Sequence, residues 1–129
     1  MALTKSKSVI IASASQAASA TTRGVLDVRT ADGGRVTMKI TNGATGPTVQ
    51  CEGRVLISHN TGATPTAAAA GADWKTIPAS VFGGGSGANA VTEFAWEFGP
   101  ETQHIEVEFT GNTAQAVTVE AECTTYSYA

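Results

Sequence analysis

Residues 81–98 read VFGGGSGANAVTEFAWEF, a glycine run that feeds an aromatic stretch. Four of the chain's 14 glycines fall within positions 83–87. Such a run after a short apolar segment is either a phosphate cradle or a loop between strands, and the residues that follow decide which. A phosphate loop needs Lys and then Ser or Thr directly after its last glycine. It also needs a helix whose free N–H groups face the anion. Here Gly87 is followed by Ala88, Asn89 and Ala90, with no lysine nearby. Beyond them Thr92, Phe94, Trp96 and Phe98 alternate with small or charged residues. A period of two is that of a strand. The glycines are therefore predicted to form a slack loop, and a helix-borne nucleotide site is set aside.

The same alternation recurs on both sides. It is carried by residues 22–30, 36–41, 48–58, 103–110 and 115–125, with shorter β-prone segments at 9–13 and 74–77. Asp32-Gly33 reads as a hairpin turn, and Asn42-Gly43 with Gly46-Pro47 brackets the next turn. Pro65 and Gly71 restrict the alanine run at 67–70 to one helical turn at most. About eight strands without an amphipathic helix predict an all-β fold. Its form is an antiparallel sandwich, jelly-roll or immunoglobulin-like. The predicted core is Val36, Met38, Ile40, Val49, Val55, Ile57, Phe94, Trp96, Ile105, Val107, Phe109, Val117 and Val119.

At 129 residues the chain has the length of one domain. Residues 1–20 form either an extended N-terminal arm or a first edge strand, and residues 21–129 form the sandwich. Charged residues make up only 15% and the net charge is −3, which gives no basic surface for nucleic acid or an anionic membrane. The apolar run at 9–12 is too short for a secretory signal. Cys51 and Cys123 lie at inward positions with no metal-binding spacing, so buried free thiols and a reducing cytoplasm are expected, with a disulfide as the alternative.

Catalytic chemistry finds no footing. Ser58 and His59 are neighbours on a strand and point to opposite faces, so they cannot act as nucleophile and base. Both His59 and His104 read as surface polar residues. No cofactor and no metal is expected. Glu106, Glu108, Glu120 and Glu122 all occupy outward positions on the last two strands. If those strands form a hairpin with a three-residue loop at 111–113, His104 lies opposite Glu120 and Glu106 opposite Thr118. Four carboxylates would then share a solvated face able to meet a basic partner; Ca²⁺ prefers clustered loop oxygens. Trp74, Trp96, Tyr126 and Tyr128 offer a different possibility, a sugar-stacking platform, although Trp96 shares its face with Phe94 and Phe98.

The threonine-, alanine- and glycine-rich β pattern, the Ser/Ala arm at 4–22, the alanine-glycine insert at 61–71 and the lack of a catalytic set resemble a tailed-bacteriophage structural protein. The chain is more specifically similar to the capsid cement or decoration proteins of short-tailed phages. That resemblance implies a jelly-roll-type fold without enzymatic activity. It implies a virion location on the capsid exterior, after assembly in the bacterial host cytoplasm. It also implies two partners, the major capsid protein and further copies of the chain as a homodimer or homotrimer. The residues expected at such interfaces are Lys5, Lys7, Val9, Ile10 and Ile11 on the arm, the four glutamates, and Tyr126 and Tyr128 in the tail. Lys5 and Lys7 are expected to meet acidic residues, and residues 9–11 to add a strand to a neighbour's edge. The alternatives are another head–tail or tail-tube component and a carbohydrate-binding module.

Overall fold

A computed structural model describes residues 2–67 and 73–128. The predicted one-turn limit on the alanine run falls mostly outside them. The strands are β1 (Leu3–Gln16), β2 (Thr22–Asp27), β3 (Gly33–Asn42), β4 (Glu52–Ser58), β5 (Lys75–Thr76), β6 (Phe82–Gly83), β7 (Val91–Phe98), β8 (His104–Thr110) and β9 (Val117–Tyr128). A single 3-10 turn, Pro78–Ser80, precedes β6, and no α-helix occurs among the described residues.

The strands form two sheets, one ordered β1-β9-β3-β7 and the other β2-β8-β4-β5, with β6 also pairing to β4. First pairs with last: β1 with β9, β2 with β8, β3 with β7, and β4 with β5 and β6, all antiparallel. Folding a long antiparallel ribbon back on itself in this way gives a jelly roll rather than an immunoglobulin-like sandwich. Leu3–Gln16 is thus an edge strand of its own sheet, held along β9 from Leu3↔Tyr128 to Gln16↔Val117 and interrupted by register shifts at Val9/Ile11 and Ile11/Ala14.

The core lies between the sheets. Val36, Met38, Ile40, Val55, Ile105, Val107, Phe109, Val117 and Val119 are buried there, as their alternation predicts, together with Ile11, Val28, Phe98, Cys51 and Cys123. Ile57, Phe94 and Trp96 are only half-buried. Val49 is 54% exposed, contrary to expectation. Strand β4 begins only at Glu52, and Val49 belongs to a loop tied to Thr113 by backbone bonds of 3.1 and 3.2 Å.

Two predicted hairpins do not form. Strands β2 and β3 lie in different sheets, as do β8 and β9. The Asp32-Gly33 pair instead crosses between sheets and docks on the end of β9. Its Asp32 N–H donates to the Tyr126 carbonyl at 2.8 Å, and its carboxylate accepts from the Tyr128 N–H at 2.7 Å. At the other crossing Asn112 is fully buried and bonded to Gln16, whose Nε2 donates to Asn112 Oδ1 at 2.7 Å. The Asn112 amide in turn donates to the Gln115 carbonyl at 2.9 Å. The glycine run is not slack either. Buried Asn42 donates to the carbonyls of Gly84, Gly85 and Gly87 at 3.0–3.3 Å, so one amide gathers the loop.

Candidate functional site

The outer faces of the two sheets differ, and the difference places every residue singled out from sequence. In β8 alternate residues Ile105, Val107 and Phe109 enter the core, which leaves His104, Glu106 and Glu108 on the outer side of the five-stranded sheet. Those three are nevertheless buried. The expectation of an outward, solvated Glu106 and Glu108 and of a surface His104 is therefore corrected. His59 is exposed, as expected.

At the His104 end, residues 61–66 of the connection between β4 and β5 fold back over this face. The hydroxyl of Thr64 hydrogen-bonds His104 Nδ1 at 3.0 Å, the Trp74 indole donates to the Thr66 carbonyl at 2.9 Å, and Arg29 reaches the Thr61 carbonyl at 3.1 Å. Leu56 and Trp74 are buried on the same side, apart from the main core. Glu108 is tolerated because arginines stand directly opposite it on both neighbouring strands. Arg23 Nε lies 2.9 Å from Glu108 Oε2, and Arg54 Nε lies 3.6 Å from Glu108 Oε1. Arg23 Nε is also 3.6 Å from Glu106 Oε1. Burying a carboxylate is costly unless it is so matched. This ladder is structural, and its burial removes Glu106 and Glu108 from any partner surface.

Glu120 and Glu122 lie on β9 in the other sheet, so the four glutamates do not share a face. The outer face of the four-stranded sheet is instead a mosaic of both signs. Lys7 sits 3.6 Å from Glu122 and Lys39 3.8 Å from Glu120, while Arg35 pairs with Glu97. A shallow groove of about 580 Å³ runs over it, lined by Lys5, Lys7, Arg35, Glu97, Glu122 and Tyr126 among others. The structure thus brings together Lys5, Lys7, Glu122 and Tyr126 of the predicted interface. Tyr128 is exposed beside Tyr126, ring centroids 6.0 Å apart, and Val9 is exposed on β1. Ile10 is half-buried, and Ile11 belongs to the core and is not presented to a partner.

Arg35, Lys39, Glu93 and Glu97 were missed as surface residues, although the alternation of β3 and β7 already points them outward. Knowing which strands lie beside them requires the jelly-roll order. The aromatic platform considered as an alternative does not assemble. Trp74 is buried, and Trp96 stacks on Phe98 at 5.8 Å.

Both cysteines are free and buried, and burial pushes each thiol up to about 11. Among the described residues no group of three or more His, Cys, Asp or Glu side chains is placed to hold a metal ion. None of their helices is long and apolar enough to cross a membrane.

No protein-family model matches the sequence, and no curated protein matches it. Solved structures do share the fold. The SPBc2 prophage-derived protein YomS superposes with a TM-score of 0.50 at 18% identity, over 98% of this chain and 96% of that one. A chain of infectious bursal disease virus, Gx strain, gives 0.55 at 9% identity, over 98% of this chain but only 33% of its own length. The K3 adhesin domain of Lys-gingipain from Porphyromonas gingivalis gives 0.53 at 13% identity, over 88% of this chain and 73% of that domain. At these identities the likeness is one of fold.

Proposed function

We propose that the chain is a non-enzymatic structural protein of a bacteriophage particle, a cement or decoration protein that binds the major capsid protein shell from outside. The observation that carries this reading is end-to-end correspondence, as one jelly roll, with a prophage-derived protein of nearly the same extent. A second chain of the same fold comes from a virus. Three features of the chain agree. Its polar groups are spent on holding the sandwich together, in the Arg23–Glu108–Arg54 ladder and the Asn42 and Asn112 loop clasps. The groove on its four-stranded sheet is shallow and mixed in charge, which suits a protein surface better than a small substrate. Buried, unpaired cysteines suit assembly in a reducing host cytoplasm.

Cosedimentation tests the proposal. The purified chain is mixed with phage heads and, separately, with isolated tails, and each mixture is run through a density gradient. Comigration with heads at a fixed ratio to the major capsid protein is expected. Comigration with tails alone would replace the capsid reading by the head–tail alternative, and comigration with neither would remove both.

A further inference from the structure

The four-stranded sheet ends in two open strands, β1 and β7. Among the described residues no backbone hydrogen bond from outside the sheet reaches residues 3–9 or 91–97. Open edges invite pairing, and lysines placed on them normally oppose it. Here the two edges carry opposite charge. β1 presents Lys5 and Lys7, and β7 presents Glu93 and Glu97, all on the exposed outer face. Each edge also holds one exposed valine, Val9 at 55% and Val91 at 53%.

We propose that β1 of one copy pairs antiparallel with β7 of the next, joining four-stranded sheets head to tail. Strands β1 and β3 run one way, and β9 and β7 the other. A second copy in the same orientation therefore brings its β1 to β7 antiparallel.

The register follows from length and chemistry. The bulge after Val9 ends the regular part of β1 at residues 3–9, the same length as 91–97 on β7. With Val9 opposite Val91, Lys7 falls opposite Glu93 and Leu3 opposite Glu97. Lys5 falls opposite Ala95, diagonal to both glutamates and within reach of a long side chain.

Pairing like with like fails on charge. Two β1 edges centred on Ser6 set Lys5 against Lys7, and two β7 edges put Glu93 and Glu97 of both copies along one seam with no cation from either edge to offset them, directly opposed when the pair is centred on Ala95. Directly opposed like charges destabilise a strand pair. The contact is therefore heterologous, and such contacts build rings or open chains rather than twofold dimers. One strand pair buries less than the ~1,200 Å² of a stable interface. Association is consequently weak in free solution and strengthened where copies sit side by side on a common support. The edge pairing does not rest on the capsid reading, since it is a property of the isolated chain.

Sedimentation velocity on the full chain tests it. At low salt the sedimentation coefficient is expected to rise with concentration toward ~1 mM, as a weak interface requires, and to fall back when salt is added. The variants Lys5→Glu/Lys7→Glu and Glu93→Lys/Glu97→Lys should each stay monomeric with the wild-type circular dichroism spectrum and a cooperative melt, lowered slightly by the loss of the Lys7–Glu122 or Arg35–Glu97 pair. Mixed in equal amounts they should associate, because each edge of one then fits an edge of the other. The register is read by oxidation of Val9→Cys/Val91→Cys. Opposed residues bring Cα atoms within ~5.5 Å across copies, whereas within one copy Val9 lies level with Ala95, so Val91 is ~20 Å away, three strand spacings across and four residues along. A ladder of cross-linked oligomers is expected, and a much lower yield from Val9→Cys/Ala95→Cys. A wild-type monomer at ~1 mM, charge variants that associate like wild type, or a mixture that stays monomeric would overturn the pairing. Equal yields from the two cysteine pairs would overturn its register.

Discussion

At the scale of single residues, the fold depends on polar side chains that a hydrophobic pattern does not flag. Glu108 is the clearest case. Strand alternation places it outward, and outward was read as solvated, yet its carboxylate is buried between Arg23 and Arg54. Replacing it by leucine leaves two guanidiniums facing an apolar side chain. Because both arginines still reach solvent, the expected loss is ~2–3 kcal/mol, below that for a fully buried pair. Chemical denaturation measures it, and a loss under ~0.5 kcal/mol would make the ladder incidental. Asp27 gives a pH signature. The hydrogen bond from the Arg29 side chain holds its carboxyl at about 2, below the ordinary 3.8. A depressed folded value stabilises above the unfolded value and loses that contribution as pH falls through the folded one. The melting advantage of wild type over Asp27→Asn should therefore be complete above pH 3.8 and fade toward pH 2. Both side chains are exposed, so the advantage is small and shrinks in salt.

At the scale of elements, the strands were legible and their partners were not. The 3.6-residue period is absent and the two-residue period is strong, so the sequence yields the main strands and most of the core. It also yields an edge strand as one form of residues 1–20. Hairpin reasoning then fails at both places where it was applied. Asp32-Gly33 and Gly111-Asn112 have hairpin chemistry, but in a jelly roll consecutive strands lie in opposite sheets at these points, and the asparagine serves as a clasp across the gap. Burial of His104 and Glu106 was illegible for a related reason. A loop poor in apolar residues gives no sign that it will fold back over a sheet. β1 supplies a test at this scale. It carries Ile11 into the core and covers the edge of β9 along its length. Deleting residues 1–14 should abolish the cooperative melt seen by circular dichroism. A truncated chain that melts like the full one would make β1 a detachable arm.

At the scale of the whole molecule, the jelly roll leaves a chain whose two outer faces are unequal. One carries a buried carboxylate ladder with a loop folded over its His104 end; the other lies open, with both signs of charge, a shallow groove and two free edges. The sequence showed which charges point outward, but not which strands stand side by side, so it assigned the acidic residues to one face when they belong to two. The functional reading proposes that this open face lies against protein. Electron microscopy of phage heads incubated with the purified chain tests it most directly. The account predicts added density at regularly spaced positions on the outside of the shell. Heads that remain bare at saturating protein would contradict it.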